Sequence, residues 1–493
     1  MATLPDIQYI YPYESPTPGS ITVVATGLQI GAGEVLPPQF FDGIAECNFN
    51  LVSLTGTEDM KERQKAFEDI LTNTQGKIGV LAHNFFFNLG VNEDESDEEM
   101  LDHAKAFYNY FKNFTCNESN DNTKPFNPIK AWGLKDEPIY YELDNKTTGY
   151  NLRTIYNYIR SGELARKKAD QSKSLRPVLV NLVGSGVDKF MTGIVLEITS
   201  ADPAVNSAAK YNIYLDTFKK NFQPTLWSYN LYPITQKPCL INGDCSALKG
   251  ECAVYVGYKG FYENLDRFNR LAKESSGVFW TYVQTMEFLS GGTLHPAAKE
   301  SYLRFEIFSA LAFGAQGILY WTYQQRPNSS ETYFPALVDR HFNRYPAWYA
   351  AQKVNGEIKA YSEVFVGSKL LEFTHLGKIY TGCPQINGVF GPIKEISATS
   401  TVVNGTYTAK EEVEGKGVLI TRIKTGRNVF IIIVSHDVVN YQELRIIFTK
   451  EASIMSVNPD ESGKLIYTDL RTDRTYVYKL APGGYLVFKH NNA

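Results

Sequence analysis

Eight short apolar segments, each followed by a longer amphipathic one, constrain the fold of this chain more than any other feature. The apolar segments are rich in branched aliphatic and aromatic residues and occupy residues 20–26, 49–54, 77–82, 129–134, 177–183, 225–229, 278–283 and 317–322. Near-continuous apolar strands are typical of a parallel sheet that is buried on both faces. Helical periodicity in the intervening segments predicts helices, among them 57–74, 149–171, 207–221, 258–275, 297–313 and 346–360. Eight strand–helix units predict a (β/α)8 barrel of the α/β class.

The alternative is an open, doubly wound α/β sheet. Such a sheet normally carries a glycine-rich phosphate loop after its first strand, and the glycines of residues 26–33 lack the G-x-G-x-x-G order. After about residue 367 the helical period disappears, and strand patterns at 418–424, 428–434, 443–448 and 485–489 alternate with turn sequences. We therefore predict an N-terminal extension (1–18), a barrel (19–366) and an all-β sandwich (367–493).

The bulk composition excludes several classes of partner. A formal net charge of −4 argues against a nucleic-acid partner or an anionic membrane surface. No apolar run reaches the roughly 18 residues that a membrane-spanning helix needs. The cysteines and histidines offer no ligand spacing typical of zinc, so we expect neither a metal nor another cofactor.

Three of the six cysteines, Cys239, Cys245 and Cys252, lie close together in one polar segment. A disulfide loop and free thiols are both compatible with this spacing; the disulfide would imply an oxidising compartment. Possible N-glycosylation sites point weakly in the same direction and lie at Asn113, Asn117, Asn145, Asn328 and Asn404. The first residues contain no signal peptide. We expect a secreted, periplasmic or cell-surface protein whose signal is missing from this sequence; a cytoplasmic protein is the alternative.

Polar and aromatic residues follow the predicted strands at their C-terminal ends, where barrels of this type carry their active sites. The fourth strand is followed by Asp136 and Glu137, two adjacent acids before a proline. The other strand ends supply groups suited to sugar rings and hydroxyls, namely His83, Asn84, Tyr229, Asn230, Tyr232, Gln284, Glu287, Trp321 and Tyr323. A structural role for Asp136 as a helix cap, with Glu137 in solvent, is the alternative. His83 and His295 could likewise be structural.

With D-E-P after strand four, N-L-Y-P after strand six, Gln on strand seven and Tyr-Trp on strand eight, the chain resembles the largest clan of retaining glycoside hydrolases. It is most similar to the β-galactosidase-like barrels of gut Bacteroidetes, over about residues 19–365 as architecture. The resemblance implies that Glu137 is the acid/base and that Asp136 replaces the Asn that binds the sugar 2-hydroxyl. It also implies that Trp321 forms the floor of the sugar subsite and that Tyr232 steadies the nucleophile.

The chain departs from that clan on strand seven, where Gln284 occupies the position expected for the nucleophile. A retaining enzyme needs two carboxyls about 5–5.5 Å apart. We expect Asp136 and Glu137 not to be that pair, because neighbours on an extended segment point in opposite directions. The hypothesis is then an O-glycosidase, retaining rather than inverting, in which Glu287 supplies the second carboxyl; Glu287 as a simple loop acid is the alternative. The second class of function is a non-catalytic glycan-binding barrel.

Overall fold

The structure is a computed structural model, and it describes residues 13–30, 36–56, 60–74, 77–83, 97–114, 116–118, 121–144, 152–185, 188–192, 194–196, 199–236, 254–290, 293–325, 332–377, 379–401, 417–472 and 474–491. Among them no helix is both long and apolar enough to cross a membrane.

Strands and helices alternate through the first three quarters of the chain. The strands are β1 (Thr22–Ile30), β2 (Leu51–Gly56), β3 (Gly79–His83), β4 (Cys116–Glu118), β5 (Asp121–Phe126), β6 (Ile129–Asp136), β7 (Val178–Val183), β8 (Leu226–Asn230), β9 (Ile234–Gln236), β10 (Val254–Val256), β11 (Val278–Gln284), β12 (Phe288–Ser290), β13 (Thr293–His295), β14 (Gly317–Trp321) and β15 (Thr332–Tyr333). The helices are α1 (Pro38–Glu46), α2 (Met60–Asn73), α3 (Asp97–Phe111), α4 (Tyr140–Asp144), α5 (Leu152–Ala169), α6 (Pro203–Phe222), α7 (Tyr258–Glu274), α8 (Glu300–Ala312), α9 (Pro346–Ala360) and α10 (Ser362–Phe365).

Eight of these strands close into a barrel in the order β1-β14-β11-β8-β7-β6-β3-β2. Every neighbouring pair is parallel. Each strand overlaps one of the eight apolar segments of the sequence, so the (β/α)8 prediction is confirmed and the open, doubly wound sheet is excluded.

The inside of the barrel is filled by side chains from all eight strands, which we call the interior layer. Its members are Val24, Leu51, Leu81, Ala131, Leu179, Leu226, Trp280, Tyr282 and Leu319, all buried. The other face of each strand packs against the surrounding helices; in α7, for example, Phe261, Leu265 and Phe268 follow one another at helical spacing and are all buried. The barrel is therefore a packed core, and in barrels of this type ligands bind at the mouth formed by the C-terminal ends of the strands.

Five short strands form a second sheet, in the order β10-β9-β13-β12-β15. These strands follow β8, β11 and β14, so the sheet lies at the C-terminal end of the barrel. We call it the rim sheet.

The C-terminal part of the chain is entirely β-structured. Its strands are β16 (Lys369–Leu376), β17 (Ile393–Thr401), β18 (Val418–Thr425), β19 (Asn428–Ser435), β20 (Tyr441–Phe448), β21 (Ile454–Pro459), β22 (Leu465–Leu470), β23 (Thr475–Leu480) and β24 (Tyr485–His490). They form a six-stranded sheet, β16-β18-β19-β24-β21-β22, and a three-stranded one, β17-β20-β23. Both are antiparallel and enclose a shared apolar core, which confirms the predicted β-rich C-terminal region.

The centre of the six-stranded sheet is buried on both faces, as β19 illustrates. Ile431 and Ile433 belong to the core between the two sheets, whereas Phe430 and Ile432 belong to the core shared with the barrel. On the barrel side, the ring of Tyr485 stacks on Phe308 of α8 with centroids 3.6 Å apart. The C-terminal sheets are thus packed tightly onto the barrel. The domain boundaries at residues 18 and 366 stay predictions.

Candidate active site

Asp136 is aimed into the mouth of the barrel by an irregularity in β6. Gly133 pairs with Leu179 of β7, but the register then shifts, so that Lys135 pairs with Val180 and Asp136 with Asn181. Leu179 faces the barrel interior, and Asn181 and Asp136 therefore do so as well. Lys135 faces the other way and pairs with Glu142, with 3.0 Å between Nζ and Oε1. Bulges of this kind commonly redirect a side chain next to an active site.

A chain of hydrogen bonds fixes the Asp136 carboxylate. The Asn181 Nδ2 donates to Asp136 Oδ1 at 2.8 Å, and the Ser228 Oγ donates to Asn181 Oδ1 at 2.8 Å. Asn181 and Ser228 are both buried. Because the hydroxyl donates to the amide oxygen, the amide nitrogen must face Asp136, and this arrangement favours an ionised carboxylate.

Glu137 turns the chain sharply at the end of β6. Its φ of 47° lies in the left-handed region, which non-glycine residues seldom adopt. Its backbone N–H donates to the Asn181 carbonyl at 2.8 Å, and its Oε1 accepts a hydrogen bond from Asn230 Nδ2 at 2.6 Å. The backbone and the side chain of Glu137 are therefore anchored to the two neighbouring strands, β7 and β8.

Two phenols, those of Tyr232 and Tyr282, lie near both acids. Burial, and then the charges of Asp136 and Glu137, raise the pKa of each phenol well above its ordinary value. Tyr282 is 7% exposed, and Tyr232 packs against the same interior layer. Both hydroxyls therefore remain protonated and are able to donate hydrogen bonds at the mouth.

The expectation that Asp136 and Glu137 point in opposite directions is wrong. The Asp136 carboxylate accepts a hydrogen bond from Asn181 and the Glu137 carboxylate accepts one from Asn230, so both lie on the side of the chain that faces the mouth. The physical reason is the left-handed conformation of Glu137, which breaks the alternation that an extended strand would impose.

Gln284, at the end of β11, faces the same mouth and is 3% exposed. Its Nε2 donates to the Pro296 carbonyl at 2.6 Å, and its Oε1 lies 3.2 Å from His295 Nδ1. Its backbone N–H points to the buried Glu306 carboxyl of α8, 3.4 Å from Oε2. The amide is thus held between the barrel and the rim sheet, where it can bind or orient a ligand.

The rim sheet contributes an aromatic wall beside the acids. The rings of Phe288 and His295 stack with centroids 4.3 Å apart, and Tyr232 meets Phe288 edge-on at 6.0 Å.

Glu287 begins the rim, between the buried Met286 and Phe288. Its side chain is half-buried, its N–H donates to the Pro335 carbonyl at 3.3 Å, and its carbonyl accepts from Phe334 at 2.9 Å. Its role as second carboxyl stays a prediction.

The remaining predicted site residues are distributed as follows. Trp321 pairs in register with Gln284 and packs against the interior layer, and its peptide bond to Thr322 is cis. His83 ends β3, whereas Asn84 lies outside the described residues.

Tyr229 and Tyr323 do not reach the mouth. Tyr229 is 1% exposed and stacks on Phe268 of α7 with centroids 4.1 Å apart, on the outer face of the barrel. Tyr323 is fully buried and meets Phe49 at 5.6 Å, also outside the barrel. A side chain enclosed between strand and helix cannot touch a sugar, so we leave both residues out of the proposed site.

Asn181, Ser228 and Tyr282 are site residues that sequence reasoning missed. Asn181 is the single polar residue of β7, and a lone amide in an apolar strand was a usable signal.

Within the part of the chain that the structure describes, no group of three or more His, Cys, Asp or Glu could hold a metal ion. The cysteine cluster of residues 239–252 lies outside the described residues.

No protein-family model matches the chain, and no curated protein matches it. Among solved structures, the chain is similar to a glycoside hydrolase family 5 protein from Bacteroides vulgatus, at 11% identity and a TM-score of 0.48, covering 96% of this chain and 89% of that one. It is also similar to a GH42 β-galactosidase from G. stearothermophilus, at 9% identity and a TM-score of 0.47 (97% and 100% covered). A β-galactosidase from Bacillus circulans gives 8% identity and a TM-score of 0.47 (98% and 100% covered). At this level the similarities carry no argument on function, which therefore has to come from the residues at the mouth.

Proposed function

We propose that this protein is a glycoside hydrolase that cleaves an O-glycosidic bond of an oligo- or polysaccharide, with Glu137 as proton donor. The observation that carries the proposal is the conformation of Glu137, a non-glycine residue at φ 47° whose carboxylate is held by Asn230. Residues in such strained conformations cluster at functional sites, where the surrounding contacts keep them in place. A helix cap or a solvated surface acid would not need this conformation.

The surroundings of Glu137 suit a sugar ring. A carboxyl on one side of a glycosidic bond protonates the leaving oxygen as the bond breaks. The phenols of Tyr232 and Tyr282 are donors for sugar hydroxyls, and the indole of Trp321 offers a flat apolar face to the C–H groups of the ring.

We expect hydrolysis with retention of configuration. Glu287 is the second carboxyl suggested by the sequence, and its half-buried position next to the aromatic wall is compatible with that role. We also propose that the enzyme acts on polysaccharide outside the cytoplasm; the crowded cysteines of the sequence support this part.

A non-catalytic glycan-binding barrel is the second candidate. It is favoured by Gln284, whose neutral amide occupies the position expected for a nucleophile and is held by Pro296 and His295.

A hydrolysis screen on plant and host glycans distinguishes the two functions. The proteins compared are the wild type, Glu137→Gln and, as a matched control, Glu274→Gln, which removes an exposed carboxylate at the end of α7. Hydrolysis that the control retains and Glu137→Gln loses supports the glycosidase. Binding of a glycan by isothermal titration calorimetry, with no hydrolysis of any glycan by the wild type, would show a binding barrel instead.

A further inference from the structure

The mouth contains two adjacent acids on one side and an amide where a nucleophile would stand. Retention through a glycosyl-enzyme needs an ionised carboxylate that attacks the sugar, and the Gln284 amide cannot supply it. Asp136 and Glu137 do not stand on opposite sides of a bond either, because they are consecutive residues whose carboxylates are bound by the amides of the neighbouring strands, Asn181 and Asn230. A nucleophile therefore has to come from a group other than these three residues.

We propose that the nucleophile belongs to the substrate: the site hydrolyses glycosides of 2-acetamido sugars, and the acetamido oxygen attacks the anomeric carbon. Asp136 holds the acetamido N–H, and Glu137 is the acid and then the base. This inference rests on the proposed glycosidase function and specifies its substrate class. Substrate assistance of this kind is an established exception to the use of a protein nucleophile.

The first step balances within the substrate and Glu137. The acetamido oxygen forms a bond to C1, the bond from C1 to the leaving oxygen breaks, and the proton of Glu137 goes to that oxygen. The product is a cyclic oxazolinium ion, whose positive charge lies largely on the ring nitrogen and whose N–H is retained. In the second step water attacks C1, Glu137 takes its proton, and the oxazolinium ring opens to the acetamido sugar. The linkage must be 1,2-trans, and the net result is retention.

Asp136 is placed and held as this chemistry requires. Its carboxylate is fixed through Asn181 and Ser228, at 2.8 Å for each hydrogen bond, so it presents a negative charge in a set direction. A carboxylate accepts several hydrogen bonds, so Asp136 can receive one from an acetamido N–H in addition to the one from Asn181. As the nitrogen becomes positive the contact turns into an ion pair, which is stronger in the transition state than in the ground state.

The phenols complete the recognition of an acetamido group. Tyr282 belongs to the interior layer and Tyr232 packs against it. Burial and the charges of the two acids raise the pKa of both phenols, so O–H donors are present at the same mouth as the Asp136 carboxylate. An acetamido group offers an oxygen and an N–H a short distance apart, which is the complementary pattern.

Retention at C1 can thus proceed without Glu287. This separates the proposal from the hypothesis that Glu287 is the second carboxyl, and the dependence of the rate on the N-acetyl group of the substrate distinguishes the two.

The test uses 4-nitrophenyl β-glycosides of N-acetylglucosamine, N-acetylgalactosamine, glucose and galactose. The proteins are the wild type, Asp136→Asn, Glu137→Gln, Glu287→Gln and the surface control Glu274→Gln. We expect hydrolysis of one or both N-acetyl substrates only, a loss of about 10²-fold or more in kcat for Asp136→Asn, and near-wild-type rates for the surface control Glu274→Gln. Far-UV circular dichroism and thermal unfolding check that Asp136→Asn is folded.

A second measurement needs no variant. In a series of N-fluoroacetyl, N-difluoroacetyl and N-trifluoroacetyl substrates, each fluorine weakens the carbonyl oxygen as a nucleophile, and kcat/KM of the wild type should fall with each one. A flat series overturns the inference. Hydrolysis of the glucoside or galactoside at a similar rate, abolished in Glu287→Gln, also overturns it and leaves the glycosidase proposal intact. The absence of hydrolysis on every substrate, including the glycan screen, overturns both.

Discussion

Glu306 gives the stability of this protein a pH dependence that can be worked out from its surroundings. It lies in α8 behind the end of β11 and is 2% exposed, and its carboxyl accepts a hydrogen bond from the backbone of Gln284 at 3.4 Å. Burial raises the pKa of Glu306 from the ordinary 4.5 to about 8, against the smaller opposing effect of that hydrogen bond. The folded protein therefore keeps a proton that the unfolded chain releases from about pH 4.5 upward.

The sign follows from linkage between protonation and folding. Where the folded state binds more protons than the unfolded state, the free energy of unfolding falls as the pH rises. Between pH 5 and pH 7 the unfolded chain has largely lost this proton and the folded protein has largely kept it, so each pH unit changes the free energy of unfolding by about 1.36 kcal/mol. Over these two pH units Glu306 should therefore remove about 3 kcal/mol of stability. This is a large part of the roughly 5–15 kcal/mol typical of a folded protein.

The perturbation is Glu306→Gln, which keeps the size and an acceptor oxygen and removes the titration. Urea unfolding followed by tryptophan fluorescence at pH 5, 6 and 7 gives the free energy of unfolding of wild type and variant. Other titrating groups, including the buried His375 and His436, whose pKa values are lowered, cancel in the difference between the two proteins.

The variant should gain about 3 kcal/mol on the wild type over this interval. Glu274→Gln, at the exposed end of α7, should follow the wild-type pH profile. If Glu306→Gln and the wild type stay parallel from pH 5 to pH 7, the reasoning on Glu306 is refuted.

Three further predictions concern packing, a buried ion pair and the cysteines. Gly317→Ala should destabilise the barrel by about 1–3 kcal/mol, because a Cβ there would lie 2.4 Å from an indole carbon of β11. Gly356→Ala, in the interior of α9 with no atom within 4 Å of the new Cβ, should instead stabilise it by about 0.5–1 kcal/mol, and urea unfolding measures both. Glu163→Gln should cost about 3–5 kcal/mol in the same assay, because it leaves the buried Arg176 without its counter-charge, and a loss below about 1 kcal/mol would contradict this. Mass spectrometry of unreduced peptides should find Cys239 bonded to one of the two cysteines that follow it, and three free thiols would remove the prediction.

The barrel could be predicted from the sequence because each of its strands is specified by the residues of one short segment. A parallel strand covered on both faces has to be apolar along its length, and β7 (residues 178–183) and β11 (residues 278–284) show this directly. The six-stranded C-terminal sheet follows the same rule, since β19 is buried on both faces and is correspondingly apolar. For these elements the composition of a short segment is sufficient to predict a buried strand.

The site was predicted less completely because side-chain direction depends on details of the backbone. The register shift in β6 and the left-handed turn at Glu137 decide that Asp136 and Glu137 share a side, and neither has a clear sequence signature. The prediction for Tyr229 is wrong for a different reason. β8 alternates regularly, and Tyr229 is one residue out of phase with Ser228 and Asn230, so its side chain faces α7. The sequence shows that a residue lies near the end of a strand. It does not show which face of the strand the side chain occupies once a register shift or a left-handed residue interrupts the alternation.

The central claim is that Glu137 protonates the leaving oxygen, and the dependence of Glu137→Gln on leaving-group quality tests it most directly. The measurement compares kcat/KM of wild type and variant on a phenyl glycoside and on a 2,4-dinitrophenyl glycoside of the same sugar. General acid catalysis is worth roughly 10²–10⁴-fold, so the phenyl glycoside should lose that much, while the 2,4-dinitrophenyl glycoside, which needs no proton, should lose far less in its bond-breaking step. A loss below about tenfold on the phenyl glycoside, or equal losses on both substrates, would contradict the account.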